Sequence, residues 1–251
     1  MNKPKTLIYD IETSPCVGWF WRTGKTNIGA HQIQRPGKII CISYRFTHWK
    51  PGLVRNLRWD RKQSDENMVK RFAKIVEKAD LIVGHNGDGF DKKWINTRLA
   101  YFQQPTISHA LTEDTLKQAR KEFNLPSFRL DFLCKYFKIP GKLSTASGLW
   151  ERVVFDNSKK DLDKMVEYCD QDVLILDQLY ERIYPYVSHK INLSVFTGER
   201  TGCPDCGSKN LTRNGYRYTR TGKFQRLKCG SCGRRSTNGK NQMLRPGGIT
   251  R

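Results

Sequence analysis

The stretch that decides the fold covers residues 6–13 and consists of Thr6-Leu7-Ile8-Tyr9-Asp10-Ile11-Glu12-Thr13. It is a short apolar run interrupted by two acids, which predicts a buried β-strand. Side chains alternate along a strand, so Asp10 and Glu12 are expected on one face and Ile11 on the other. Their like charges repel, and a hard cation such as Mg²⁺ or Mn²⁺ would turn that repulsion into ligation. The alternative is that both acids lie at the solvated end of an edge strand.

The charge of the chain points to a polyanionic partner. Its 251 residues carry a formal net charge of +21 with a pI near 9.8. Residues 200–251 contain 13 Lys and Arg residues and one acid, Asp205, so this last fifth carries +12 of the total. A surplus of this size favours nucleic acid as the partner.

Two other classes of protein are disfavoured. No run approaches the roughly 18 apolar residues of a membrane-spanning helix, so no membrane partner is expected. The start, Met1-Asn2-Lys3-Pro4-Lys5, leads straight into a strand and does not resemble a signal peptide.

Eight cysteines without a secretory signal indicate a reducing compartment, so a cytoplasmic protein is expected. The four scattered cysteines are expected to be small buried residues: Cys16, Cys41, Cys134 and Cys169.

The order of predicted elements indicates an α/β sheet covered by helices. After the first strand, the patterns predict strands over 38–46, 53–59 and 81–86 and helices over 64–78, 90–101, 114–123, 129–137 and 160–184. The three early strands, with short connections, suggest an antiparallel meander. Residues 139–148 form a predicted loop. These patterns divide the chain into a domain at 1–185, a linker at 186–200 and a basic domain at 201–251.

Further acids follow the later elements. Asp91 comes after a strand and a glycine-containing loop, where it is either a helix N-cap or a metal ligand. His85 in that loop is expected to be a hydrogen-bonded histidine rather than a ligand. On the last helix Tyr168 and Asp172 are four residues apart and share a face, unless they are merely a boundary tyrosine and a surface acid. Asp170 is expected to point to solvent.

Taken together, these residues resemble the DEDD superfamily of 3′→5′ exonucleases, which have an RNase H-like fold. The resemblance covers about residues 5–184 and lies in Tyr-Asp-Ile-Glu-Thr, His-Asn-Gly-Asp-Gly-Phe-Asp and Tyr-Cys-Asp-Gln-Asp. Tyr168 stands four residues before Asp172, as in the tyrosine branch, DEDDy. The chain is also similar to stand-alone predicted exonucleases of bacteriophages and bacteria, which would place it in a host cell's cytoplasm if it is phage-encoded.

The resemblance implies phosphodiester hydrolysis with two Mg²⁺ or Mn²⁺ ions. Asp10 would bridge both ions, Glu12 and Asp172 would complete one ion site, and Asp91 would hold the second ion. Tyr168 would orient the attacking water, because a tyrosine is a poor base at neutral pH. The pocket for the terminal nucleotide would be lined by Thr13, Asn86 and Phe90.

Two C-x-x-C pairs in the basic domain predict one structural zinc ion. The four ligands are Cys203, Cys206, Cys229 and Cys232, and 22 residues separate the pairs. Each C-x-x-C turn supplies two thiolates of a tetrahedral site. The segment 216–228 alternates around a Thr-Gly turn, which predicts a β-hairpin, and the whole resembles a zinc ribbon. A redox dithiol is the alternative.

The ribbon carries basic and aromatic residues that suit nucleic acid, since cations neutralise phosphates and rings stack on bases. The predicted contacts are Arg213, Tyr216, Arg217, Tyr218, Arg220, Lys223, Phe224 and Arg226. An ordinary solvated hairpin face and a protein-docking site are the alternatives.

The leading hypothesis is therefore a metal-dependent 3′→5′ exonuclease acting on single-stranded ends, with DNA favoured over RNA. A nucleic-acid-binding or recruitment protein with an inactive nuclease domain is one alternative. A structure-selective endonuclease on the same fold is another.

Overall fold

Strand β1, Thr6–Thr13, lies at the centre of a five-stranded mixed sheet. The computed structural model describes residues 4–22, 24, 27–141, 147–196 and 201–243. It divides the chain into two compact units, Lys5–Ser188 and a second unit that contains His189–Arg251. The predicted loop residues 142–146, linker residues 197–200 and tail residues 244–251 lie outside the described residues.

The first unit contains seven strands and six α-helices among its described residues. Its strands are β1, β2 (Val17–Gly18), β3 (Ile33–Arg35), β4 (Ile39–Phe46), β5 (Arg55–Arg58), β6 (Leu81–Gly84) and β7 (Thr112–Asp114). Its helices are α1 (Glu66–Val76), α2 (Asp91–Tyr101), α3 (Thr115–Glu122), α4 (Leu130–Tyr136), α5 (Leu149–Val154) and α6 (Lys159–Ile183). None of the described helices is long and apolar enough to span a bilayer.

The strand order of the main sheet is β5-β4-β1-β6-β7. β1, β4 and β5 pair antiparallel, as the meander prediction requires, whereas β1, β6 and β7 pair parallel. The prediction of a mixed α/β sheet flanked by helices is confirmed. β7 and α5 were not predicted, because elements of three and six residues have too few positions to show a hydrophobic period.

The alternation of β1 separates a core face from an acidic face. Leu7, Tyr9 and Ile11 are buried in one cluster that includes residues of α1 and α2. The opposite face of the sheet packs against α5 and α6, with Cys41, Met165 and Cys169 in a second cluster. Asp10 and Glu12 therefore lie on the α6 side of the sheet.

Three carboxylates on one side of α6 bind side chains of the antiparallel strands. Asp163, Asp170 and Asp177 are seven residues apart, which is about two helical turns, so they lie on one side of α6. Asp163 pairs with Arg58, and Asp177 Oδ2 lies 2.9 Å from Arg45 Nη1. Asp170 accepts hydrogen bonds from Ser43 Oγ at 2.6 Å and from an amide of β5 at 2.9 Å. The expectation that Asp170 points to solvent is wrong, because polar side chains of β4 and β5 face this side of α6.

The cysteine expectation holds for three of the four scattered residues. Cys41, Cys134 and Cys169 are buried, but Cys16 is exposed. Cys16 lies between β1 and β2, where the chain leaves the sheet. Its side chain therefore has no hydrophobic core to pack against.

The second unit is a three-stranded antiparallel sheet next to a four-cysteine cluster. Its strands are β8 (Leu211–Thr219), β9 (Gly222–Cys229) and β10 (Arg235–Asn241), in the order β10-β9-β8. The predicted hairpin is β8–β9, and the third strand is an addition to the prediction. The unit has the form expected of a small zinc ribbon.

Candidate metal centres

The first candidate site begins at the carboxyl end of β1. Ligand atoms of Asp10, Glu12 and Cys169 all lie within 4.8 Å of one another. Cys169 Sγ lies 3.5 Å from the backbone oxygen of Asp10 and 3.8 Å from its Oδ2. The two acids thus share one face of β1, and the middle of α6 covers them.

Asp91 belongs to the same cluster. It is the first residue of α2 and is only 4% exposed, while Phe90 occupies the N-cap position. Its carboxylate accepts hydrogen bonds from the backbone amides of Ile11 and of Asp91 itself. The hydrogen bond from the Ile11 amide ties Asp91 to β1 between Asp10 and Glu12. Helix capping alone would not require this bond.

Asp172 completes the cluster from α6. It is 7% exposed, and its negative charge acts on Asp10 together with those of Glu12 and Asp91. Tyr168, one turn earlier, donates a hydrogen bond from its hydroxyl to the Asp172 carboxylate. The structure thereby brings all five predicted residues of this site together.

The electrostatics of this cluster favour a cation. Burial, followed by the charges of Asp91, Glu12 and Asp172, raises the pKa of Asp10 well above its ordinary value. Burial also raises the pKa of Asp91 to about 7, although its two backbone hydrogen bonds oppose the rise. Three carboxylates whose charges raise the proton affinity of a fourth, Asp10, make up a donor set that fits hard divalent ions.

Tyr168 keeps its proton in this environment. Burial, then the charge of Asp172 and the hydrogen bond to it, raise the pKa of Tyr168 above its ordinary value. The phenol can therefore orient a neighbour by hydrogen bonding and cannot act as a base at neutral pH.

The predicted lining residues of the terminal-nucleotide pocket lie at the same edge of the sheet. Thr13 ends β1, and Asn86 follows β6, its parallel neighbour. Phe90 is 41% exposed and its ring contacts Trp94. Asn86 adopts a left-handed conformation (φ 67°) that turns the chain toward α2.

Asp114 is a positioning residue that the sequence analysis missed. It is buried, and its carboxylate accepts hydrogen bonds from the amides of Asn86 (3.0 Å) and Asp88 (3.3 Å). The same carboxylate caps α3 through the amides of Leu116 and Lys117. The position of Asp114 before α3 indicates a helix cap in the sequence. Asp88, whose amide it also binds, is 26 residues away, so this second role is visible only in the fold.

His85 is a hydrogen-bonded histidine, as expected. Its ring nitrogens lie 2.8 Å from Thr115 Oγ1 and 2.9 Å from the Phe128 carbonyl oxygen. Burial lowers its pKa, so the ring is neutral at physiological pH. Both nitrogens are occupied by protein partners, which leaves no position for a metal.

The second candidate site is the four-cysteine cluster. The ligand atoms of Cys203, Cys206, Cys229 and Cys232 lie within 4.8 Å of one another, with two Sγ pairs at 3.7 and 3.6 Å. Tetrahedral zinc with Zn–S bonds of about 2.3 Å requires sulfurs roughly 3.8 Å apart, so the cluster fits such an ion.

Two equivalent turns build this cluster. In each, the amide of a glycine bonds back to the first cysteine: Gly207 to Cys203 O at 2.8 Å and Gly233 to Cys229 O at 2.9 Å. Both glycines have φ near +70°, which a side chain would strain. The repeated C-x-x-C-G pattern in the sequence is the signal of these paired turns.

The predicted ribbon contacts fall on two faces. Tyr216, Tyr218 and Lys223 cluster on one face, where Lys223 Nζ lies 4.0 Å from the centre of the Tyr216 ring. Arg217 pairs with Phe224 in the β8–β9 register and therefore faces the other side. Arg213 and Arg220 are exposed, whereas Arg226 Nε donates to the Asn214 carbonyl at 2.8 Å within the sheet.

Comparisons with known proteins agree with the RNase H-like fold expected from the motifs. A family model described as the RNase H superfamily matches residues 28–184. The fold is also similar to a family B DNA polymerase from the hyperthermophilic archaeon Pyrobaculum calidifontis, with a TM-score of 0.53 and 15% identity. That similarity covers 86% of this chain and 31% of the polymerase chain. No curated protein matches the sequence.

Proposed function

The chain belongs to the RNase H superfamily, and we propose that it is a metal-dependent 3′→5′ exonuclease that hydrolyses single-stranded nucleic-acid ends. The observation that carries this proposal is that the charges of Glu12, Asp91 and Asp172, which belong to three separate elements, all act on Asp10. A protein that only binds nucleic acid has no use for two buried and two half-buried carboxylates placed close together, which cost stability unless a cation offsets them.

The four carboxylates would hold Mg²⁺ or Mn²⁺. Such ions, when bound, supply a Lewis acid for the phosphate and lower the pKa of bound water. Asp10 and Glu12 are fixed by the sheet, and the backbone amide of Ile11 fixes Asp91 beside them. Catalysis would therefore use preorganised ligands, which need little rearrangement during the reaction.

Tyr168 would orient the attacking water through its hydroxyl. The hydrogen bond to Asp172 holds the phenol beside the carboxylates, and its raised pKa keeps the proton in place. Thr13, Asn86 and Phe90 would grip the terminal nucleotide, with Phe90 offering an exposed ring to a base. The 3′→5′ polarity and the DEDDy assignment rest on the motif resemblance.

We further propose that residues 201–251 form a zinc-stabilised ribbon domain joined to the nuclease domain, 1–185, by a linker. Tyr216, Tyr218 and Lys223 form the face that suits unpaired bases and phosphates best. A protein partner could use the opposite face, which carries Arg217 and Phe224. We place the protein in a reducing compartment, such as the cytoplasm of a cell or of a phage-infected host, where unpaired cysteines stay reduced.

DNA is the proposed substrate over RNA, and one cleavage assay tests the proposal. Single-stranded DNA and RNA labelled at the 5′ end are incubated with Mg²⁺ or Mn²⁺, and with EDTA as a control. The proposal expects a ladder of products shortened from the 3′ end, lost in EDTA and in Asp172→Asn. Internal cuts would instead indicate an endonuclease, and no cleavage with any metal would indicate a binding or recruitment protein.

A further inference from the structure

An aromatic hairpin follows the first metal-binding strand and offers its rings to solvent. β2 and β3 pair Val17 with Arg35 and Gly18 with Ile33. Between them lie Trp19, Phe20 and Trp21, which are 40%, 55% and 88% exposed. Large aromatic side chains rarely remain this exposed as a group unless a ligand covers them.

Specific hydrogen bonds join the two sides of the hairpin within its described residues. Trp19 N donates to Gln32 O at 3.1 Å, and Gln32 Nε2 returns a bond to Trp19 O at 3.1 Å. A Cβ at Gly18 would lie 2.6 Å from Gln32 O, so the two strands meet closely only because position 18 is glycine. The Trp19 and Trp21 rings contact edge to face at 5.5 Å between centres. The hairpin backbone therefore holds Trp19, and the Trp21 ring contacts it.

The surrounding charge indicates what kind of ligand fits. The segment of the hairpin, residues 13–37, contains Arg22, Lys25 and Arg35 and no Asp or Glu. Arg22 follows the three rings, and the Arg35 guanidinium lies 5.5 Å from the centre of the Phe155 ring, which is itself 55% exposed. Rings that stack among cations suit the bases and phosphates of a single strand.

The hairpin also leaves the sheet at the edge where the carboxylates lie. Trp19 follows Glu12 by seven positions, so the chain limits their separation to at most about 25 Å. The start of the connection is fixed, because Ser14 N bonds to Lys38 O at 2.8 Å and Trp150 Nε1 donates to Thr13 O at 3.1 Å. A strand of a few nucleotides can therefore reach both places.

We propose that Trp19, Phe20 and Trp21 form a stacking surface for unpaired bases of the strand whose end enters the carboxylate site. This inference rests on the proposed nuclease function for its biological meaning, but binding to the surface needs no catalysis. The surface would favour single strands over duplexes, since paired bases do not expose their faces. It would also favour strands that extend several nucleotides beyond the terminal one.

Equilibrium binding in buffer without added Mg²⁺ or Mn²⁺ tests this surface without any cleavage and leaves the zinc of the second unit in place. Fluorescence anisotropy is measured for a labelled dinucleotide, a 12-nucleotide strand and a blunt duplex, with the full-length protein and with Trp21→Ala, Trp21→Phe and Trp19→Ala. We expect each alanine variant to weaken 12-nucleotide binding by about tenfold. Dinucleotide and duplex binding should stay within about twofold, and Trp21→Phe should retain most of the affinity. Tyr136→Ala, an exposed ring on α4, is the matched control and should bind normally.

The outcomes separate this inference from the proposed function. Unchanged 12-nucleotide binding in Trp21→Ala overturns the stacking surface and would leave these rings for a protein partner, even if the enzyme is active. Equal losses for strand and duplex also overturn it, since they indicate general charge or folding effects. Selective loss in a protein that cleaves nothing supports the surface while rejecting the exonuclease.

Discussion

Asp10→Asn should stabilise the metal-free protein while it abolishes metal-dependent activity. Ligand atoms of Asp10 and Glu12 lie within 4.8 Å, and two unit charges at that separation repel by about 3.5 kcal/mol at an effective dielectric constant of 20. Because its pKa is raised, Asp10 is protonated part of the time in the wild-type protein. Replacing it by Asn therefore removes only part of this repulsion. We expect a gain of about 1–2 kcal/mol, or a melting temperature about 2–8 °C higher.

Calorimetry without added Mg²⁺ or Mn²⁺, at pH 8 and at pH 5, measures this gain. The gain should be present at pH 8, where the carboxylates are ionised, and should shrink at pH 5, where the native cluster holds protons. Asp163→Asn on α6 is the matched control, because Asp163 and Arg58 form a partly exposed ion pair that contributes little to stability. A lower melting temperature for Asp10→Asn at pH 8, or an equal gain at both pH values, would refute the reasoning that the acids repel one another.

Three further outcomes are expected. The affinity for Mn²⁺ should rise between pH 6 and pH 8, since the pKa of Asp91 is about 7 and the proton must leave before the carboxylate binds a metal. Titration calorimetry in two buffers would show the released proton. An affinity for Mn²⁺ that does not depend on pH would contradict this prediction. Tyr168→Phe should lower turnover by about 10²-fold while Mn²⁺ affinity stays unchanged, and unchanged turnover would remove its proposed role. Cys203→Ser, or zinc removal by a chelator, should unfold the second unit, since structural zinc supplies the folding free energy of such small domains; retained β8–β10 amide protection in hydrogen exchange would contradict this.

Local geometry explains which parts of the site could be predicted from the sequence. The period of two places Asp10 and Glu12 on one face, and the helical period places Tyr168 and Asp172 on another. The C-x-x-C spacing likewise predicts a cluster before any fold is known. The same alternation separates Arg217 from Tyr216 and Tyr218, so the division of the ribbon contacts over two faces was already present in the sequence.

The remaining features depend on tertiary contacts between distant segments. Asp114 appears in the sequence as a helix cap, and only the fold brings the Asn86–Asp88 loop onto its carboxylate. Asp170 lies on the polar side of α6 by helical spacing, but Ser43 and Asn56 make that side an interface. Short elements such as β7 exist because a neighbouring strand offers hydrogen bonds, which a local pattern cannot show.

The central claim is that the four carboxylates of the first unit form one divalent-metal centre. Anomalous diffraction from crystals soaked in MnCl₂ tests it most directly. The account predicts manganese peaks bounded by Asp10, Glu12, Asp91 and Asp172, which disappear in Asp10→Asn. Manganese-dependent cleavage by a protein whose crystals show no peak among these carboxylates would contradict it.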